Sequence, residues 1–349
     1  MKKSYNINEV AKLFNITTNK IRFYEKKGLI RPFREADNEY RKFTDEDIFM
    51  LQAILLYRCI GLSIDDIKDI FKDNTTSNYL NHFNRQWEVV NSEIHRLNDV
   101  RFSIGKIIDN IYNNENIESY NDIFKIIENT NKLNEIRNNW SDKWNFDNWA
   151  DSYDNDVLED ITNIKMYKNY NLILDSVYNL AVDFNNSNIS VLEIGVGTGN
   201  LAGRFLENNY DIVGIDQSRE MLNVAKKKYL KLKVRIGEFL KIPFDNKAFD
   251  VIVSTYAFHH LNNEEKSIAI GEMLRVLKDN GKIIIGDLMF KNEEDKQNLI
   301  KGLSNEQIEE INDEYFSYID LLIEEFKKFN KKVKYTKIDT INYIVEIFS

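Results

Sequence analysis

The sequence predicts a multidomain chain. An all-α-rich winged helix-turn-helix comes first, then one long coiled-coil helix, then an α/β domain with a Rossmann-like, seven-stranded sheet. Three observations predict it. Residues 1–75 read as short helices with a basic start, residues 77–112 as one long helix, and residues 145–349 as alternating strands and helices. The expected boundaries are 1–75, 76–112, 113–144 for a connector, and 145–349.

At the front, Asn8 is placed to cap a helix carrying Val10, Ala11, Leu13 and Phe14. A tight break follows at Asn15-Ile16. Thr17 caps a second helix, Thr18 to Lys26, with Ile21 and Tyr24 on one face, and Gly28 suits a left-handed end. Two short helices around a tight turn form a helix-turn-helix, whose second helix enters the major groove. Its Thr18, Asn19, Lys20 and Arg22 are types that bond phosphates or base edges. Leu29–Pro32 and Tyr40–Phe43 read as the two strands of a wing.

Four blocks carry a resemblance: Tyr5–Lys12, Ile21–Ile30, Tyr40–Phe43 and Gly61–Ile67. In order and spacing they resemble the MerR family of transcription regulators over about residues 4–72, and over 4–112 with the long helix included. The resemblance implies promoter DNA bound by a dimer. It maps the recognition helix to Thr17–Arg22 and backbone contacts to Arg22, Tyr24, Tyr40 and Arg41.

Charge agrees with that assignment. The whole chain carries −9, but residues 1–44 carry +6 and the other 305 residues −15. A basic head on an acidic body is the electrostatic footprint of local DNA contact.

In the long helix, Leu80, Phe83, Trp87, Val90, Ile94, Leu97, Arg101, Ile104, Ile108 and Ile111 fall at alternating steps of three and four. All but Arg101 are apolar, which is a coiled-coil seam and predicts a homodimer through 76–112. Metal-sensing members of the family carry cysteines near the end of this helix. The single cysteine here, Cys59, lies before it and is expected to be a buried small residue. It also excludes a disulfide framework. The connector is Asn-rich at 113–116, after which Ile123, Ile126, Ile127, Leu133 and Ile136 predict an amphipathic helix.

In the back half, Ile189–Ile194 reads as a buried strand running into Gly195-Val196-Gly197-Thr198-Gly199 and a helix from Asn200. Asn200 stands where a dinucleotide fingerprint needs its third glycine. Glycines at every second residue, with Glu193 before them, suit S-adenosylmethionine (SAM), which has no phosphate to cradle. A second strand ends at Asp216, placed to accept ribose hydroxyls. Gly237-Glu238-Phe239 follows the third. The fourth, Phe249–Ser254, opens into Thr255-Tyr256-Ala257-Phe258-His259-His260-Leu261, and the fifth is Lys282–Asp287. A helix over Tyr315–Phe329 and strands Val333–Ile338 and Ile341–Phe348 close the chain.

Five ordered elements with acids at the strand ends resemble the class I SAM-dependent methyltransferases over about 145–349. The turn and the 254–261 segment look like a subgroup of small bacterial members often linked to methionine and cysteine salvage. Trp149–Asp154 matches a segment that many members fold over SAM. The resemblance implies SAM contacts from Tyr153, Glu193, Gly195, Gly197, Asp216, Gln217, Met221, Glu238, Phe239, Ser254 and Thr255. Glu238 departs from the family's usual Asp. Methyl transfer is a displacement that needs an in-line nucleophile, and His259 is the candidate base.

The sequence predicts no metal-ligand cluster and metal-independent transfer. It also predicts a small-molecule acceptor. No Asn/Asp-Pro-Pro-Tyr/Phe motif for a flipped adenine occurs, and the −15 body disfavours a nucleic-acid groove. A second reading makes the methyltransferase fold a non-catalytic sensor of SAM or a metabolite that controls DNA binding. No stretch approaches the ~20 apolar residues of a membrane span, and the polar start predicts a cytoplasmic protein.

Overall fold

In the computed structural model of the chain, which describes residues 4–35, 39–72, 79–112, 120–183 and 189–349, local capping chemistry sets the first elements. Strand β1 (Tyr5–Asn6) leads into α1 (Ile7–Leu13). Asn6 rather than Asn8 is the cap: its Oδ1 accepts from the N–H of Asn8 and Glu9, and Glu9 accepts from the N–H of Asn6. The reciprocal Asn-x-x-Glu box satisfies more helix-end donors than Asn8 could alone. Thr17 caps α2 (Thr18–Lys26) through the N–H of Lys20, and Gly28 ends it at φ 76°.

The wing pairs β2 (Phe33–Arg34) with β3 (Arg41–Phe43), and β1 joins β3 on its other side. Leu29 and Ile30 are core residues rather than strand residues. The wing tip at 36–38 and the Asn-rich 113–116 stretch lie outside the described residues. Helices α3 (Asp45–Cys59) and α4 (Ile64–Lys72) complete a core of Val10, Ile21, Tyr24, Phe43, Leu51 and Ile67. Cys59 is exposed, not buried. It lies two positions beyond buried Tyr57, about 200° further round the helix.

Helix α5 (Tyr79–Tyr112) is continuous. The chain forms two compact units, Met1–Leu97 and Asn98–Ser349, so each takes part of this helix. Leu80, Phe83, Ile94, Leu97, Ile104, Ile108 and Ile111 of the seam are exposed.

In the second unit, α6 (Tyr120–Asn139) covers the predicted connector helix; the side chain of Ile123 lies outside those described. Ile136 and Trp140 pack on the core of this unit. Short helices α7 (Phe146–Trp149) and α8 (Tyr153–Glu159) and the longer α9 (Tyr170–Val182) follow. Strands β4 (Val191–Ile194), β5 (Ile212–Asp216), β6 (Lys233–Ile236), β7 (Phe249–Thr255) and β8 (Leu277–Phe290) then form a parallel sheet. They are linked through α10 (Asn200–Glu207), α11 (Arg219–Lys228) and α12 (Asn263–Val276).

Two helices the sequence did not announce, α13 (Glu293–Ile300) and α14 (Asn305–Asp313), come next. The predicted Tyr315–Phe329 helix is shorter: β9 (Ser317–Tyr318) pairs with β8 before α15 (Ile319–Lys327) begins. Strands β10 (Lys332–Lys337) and β11 (Asn342–Phe348) close the edge antiparallel. The main path is seven strands, β10-β11-β8-β7-β4-β5-β6, with β9 off it.

Arg137 ties α6 to this unit. Its guanidinium, 8% exposed, bonds the Leu240 carbonyl at 3.0 Å and pairs with Asp99 and Glu272. Arg137→Ala leaves Asp99 without its buried cation, whereas Glu272 keeps Arg275 at 2.7 Å. Urea unfolding followed by tryptophan fluorescence should show the second unit destabilised by about 3 kcal/mol or more; a loss below about 1 kcal/mol would show the pairs are dispensable.

Candidate functional site

Strand order places β4 between β5 and β7, and the chain leaves β4 toward one neighbour and returns to the other. Such a switch point opens a crevice at the carboxyl ends of the strands. Here it opens between the turn after β4, the end of β5 and the segment after β7, enclosing about 790 Å³ of empty space with its mouth included.

The turn approaches its neighbours closely. Gly195 sits at φ 72°, and a Cβ there would lie 2.5 Å from the Cβ of Ala257. Its N–H and that of Val196 donate to the Ile215 carbonyl. Asp216 at the end of β5 accepts from the N–H of Gly197 and of Ser218, both at 2.9 Å. Burial pushes Asp216 up to about 6 against those two hydrogen bonds. Glu193 is raised well above the usual carboxylate range by burial and by Asp216.

Of the residues inferred as SAM contacts, Tyr153, Glu193, Gly195, Gly197, Asp216, Gln217, Met221, Glu238, Phe239 and Thr255 line one pocket. Ser254 does not; it is fully buried in β7. Among the described residues, three buried polar atoms on this pocket's wall have no hydrogen-bond partner: Glu193 Oε2, Gln217 Oε1 and Tyr256 Oη. Buried polar atoms are ordinarily satisfied, so a cluster at a crevice marks where a polar ligand completes the network.

A lid of aromatic residues borders the crevice, with Trp140, Phe146 and Tyr153 on its wall. Two carboxylates hold it down. Asp147 accepts from Ser218 Oγ at 2.6 Å. Asp154 accepts from Thr198 Oγ1, Asn200 Nδ2 and Lys228 Nζ. Burial alone would raise Asp154, but these partners hold it below the usual range.

His259 is corrected by the structure. It does not reach the pocket wall; His260 does. The short turn Phe258–His260 sends successive side chains in different directions, and His259 is 1% exposed with Nδ1 2.5 Å from Asp287 Oδ1. Burial works against a charged His259, yet Asp287 more than offsets it and the net displacement is upward. His260 is pushed down to about 4 by burial and by His259, and its Nδ1 lies 3.2 Å from Glu314 Oε2. Glu314 had no signal in the sequence: it follows an unforeseen helix and is 54 residues from His260.

In the first unit, Thr17, Lys20 and Arg22 are exposed on or beside α2, Thr18 is half-buried, and Tyr40 is exposed on the wing. Arg41 spends its guanidinium on Glu25 at 2.7 Å. Tyr24 departs from the expected backbone contact, because its ring is 2% exposed in the core, on the Ile21 face of α2.

Residues 191–281 match the family described as a methyltransferase domain, and residues 5–74 match the MerR HTH family regulatory proteins. An uncharacterized methyltransferase of Oceanobacillus iheyensis is 36% identical over 206 residues, 57% of this chain and 93% of that protein. One of Alkaliphilus oremlandii is 35% identical over 205 residues, 57% of this chain and 94% of its own. The chain belongs to this methyltransferase family, and it carries a MerR-type helix-turn-helix domain at its front.

Gly195→Ala should destabilise the second unit by about 1–3 kcal/mol from backbone strain alone, and further from the clash with Ala257. Adding Ala257→Gly should return the clash component and leave the strain, as read by urea unfolding. Equal stability of the single and double variants would show that the close approach does not limit the turn.

Proposed function

We propose that the chain is a DNA-binding regulator of MerR type whose second unit transfers a methyl group from SAM to a small molecule. The observation that carries the reading is the set of unpartnered polar atoms gathered with Asp216 around the glycine turn. Asp216 has its carboxylate fixed by two backbone N–H groups, which aims its remaining lone pairs at ribose hydroxyls. Burial and the neighbouring Asp216 raise Glu193 well above the usual carboxylate range, and its Oε2 is open to a hydrogen bond from a ligand. Glu238 on the wall supplies an acceptor for an amine.

When bound, SAM supplies an electrophilic methyl on a sulfonium sulfur. The residues of the chain have the positioning task. Trp140, Phe146 and Tyr153 shield the crevice from water, and Asp147 and Asp154 hold that lid on the turn. Burial raises Tyr153, Tyr167, Tyr170 and Tyr256, so none serves as a phenolate. A small acceptor rather than a nucleic acid is favoured by the −15 charge outside residues 1–44. In the first unit, the exposed Lys20 and Arg22 support duplex DNA as the partner of α2. The exposed apolar seam of α5 supports a homodimer.

Calorimetry should show SAM binding to the full chain, and S-adenosylhomocysteine should form when a metabolite pool is supplied. Binding without turnover across a broad acceptor panel would favour the sensor reading; no binding would sink both. Asp216→Ala removes two ribose bonds and should weaken SAM binding roughly 30-fold or more. In the unaltered chain, affinity should fall as pH drops through about 6, where Asp216 gains its proton.

Arg22→Ala should weaken promoter DNA binding and make its salt dependence shallower by about one counterion. SAM affinity should stay unchanged. An unaltered salt slope would remove Arg22 from the phosphate contacts.

A further inference from the structure

The turn after β7 and the end of α14 bring three ligand-type atoms together that the sequence keeps apart. His259 Nε2 lies 3.9 Å from Glu314 Oε2, His260 Nδ1 lies 3.2 Å from the same oxygen, and the three atoms are within 4.8 Å of one another. We propose that His259, His260 and Glu314 bind a divalent transition-metal ion of zinc type beside the pocket.

Four features support the site. The donor set, two imidazoles and a carboxylate, is one that holds zinc with an open position for water or substrate. Bonds of about 2.0–2.1 Å in a tetrahedron put ligand atoms about 3.3 Å apart; the two separations to Glu314 Oε2 bracket that value, and the widest pair, within 4.8 Å, closes onto the ion when it binds. His259 Nδ1 donates to Asp287 at 2.5 Å, which fixes the ring and leaves Nε2 as the ligand atom. Metal-bound histidines commonly have such a carboxylate behind them. Finally, a hydrogen bond does not bridge His259 Nε2 and Glu314, since 3.9 Å is beyond its reach. An ion between them bridges that gap.

The surroundings hold the ligands in place. Trp144 lies 4.3 Å and Phe146 5.0 Å from the His260 ring, and Tyr315 N–H donates to the His259 carbonyl. The opposing charge is Lys266, whose ammonium is bound by the carbonyls of Leu261 and Tyr315. The carboxylates of Asp287 and Glu314 outnumber it.

The consequence for chemistry rests on the methyltransferase reading, whereas ion binding does not. His260 lines the crevice, so an open position on the ion faces acceptors. A thiol or hydroxyl bound there gives up its proton to water and is presented as thiolate or alkoxide.

The test uses the full chain freed of metal with a chelator. Zn²⁺ titration by calorimetry should give one ion per chain, and Co²⁺ in its place should give the visible absorption of a low-coordinate nitrogen and oxygen site. Glu314→Gln and His260→Ala should each weaken Zn²⁺ binding at least 10-fold. Asp287→Asn should weaken it 10- to 100-fold through the ring it orients. Circular dichroism would confirm that each variant is folded, and Glu314→Gln is the most conservative of them. Absence of stoichiometric binding overturns the site, as does binding that survives both Glu314→Gln and His260→Ala. SAM affinity is measured on the same samples. Zn²⁺ binding with no SAM binding would overturn the methyltransferase reading and leave the ion site standing, and the reverse result would overturn only the ion site.

Discussion

The His260 side of the crevice in the second unit depends on one buried carboxylate. Asp287 in β8 is fully buried and receives four hydrogen bonds. They come from the N–H of Phe258 at 2.7 Å, of His259 at 3.2 Å and of Leu288 at 2.7 Å, and from His259 Nδ1 at 2.5 Å. An isolated buried carboxylate would be prohibitive; with its acceptor sites filled, the same group becomes a rigid anchor. It clamps the turn after β7 to the neighbouring strand and decides that His259 points inward while His260 meets the crevice. It also fixes the wall that Gly195 abuts through Ala257.

The other end of the crevice is built by backbone rather than by charge. Gly195 closes on Ala257, and Asp216 is held by two amides, so a ligand meets a surface set before it arrives. Preorganisation of this kind lowers the ordering cost of binding. The lid is tied differently. Asp147 and Asp154 reach from short, partly exposed helices to Ser218, Thr198, Asn200 and Lys228. These side-chain bonds, rather than strand pairing, hold α7 and α8 against the glycine turn and α11.

What the sequence made legible follows from range. The strands β4, β5 and β7 were readable because buried parallel strands are apolar runs, and the glycine turn because left-handed backbone needs glycine. Asp216 was readable because a strand end is a position in sequence. The choice between His259 and His260 was not, because a single short turn separates their directions and the arbiter, Asp287, sits on another strand. Glu314 was invisible for the same reason, lying beyond two helices with weak patterns. Tyr24 and Cys59 went astray through their helix faces. A family position put Tyr24 on DNA although its periodicity with Ile21 put it inside, and residue type put Cys59 inside although its position on α3 put it out.

The acids of the second unit divide by the sign of their effect on folding. Asp154 and Asp287 lie below their usual range, despite burial, because of their partners. Such groups contribute stability above their unfolded pKa and lose it as pH falls through the folded value. Asp216 is the reverse. With its pKa raised from 3.8 to about 6, the folded state holds a proton that the unfolded state has released. Stability therefore declines as pH rises from about 4 to 6, by about 3 kcal/mol in all. Glu193 beside it is displaced in the same direction. Two neighbouring acids that oppose folding at neutral pH are not explained by packing. A ligand that donates hydrogen bonds to Asp216 and occupies the unpartnered Glu193 Oε2 offsets their cost in the bound state. Ligand binding and stability of the second unit are then linked through the same two side chains.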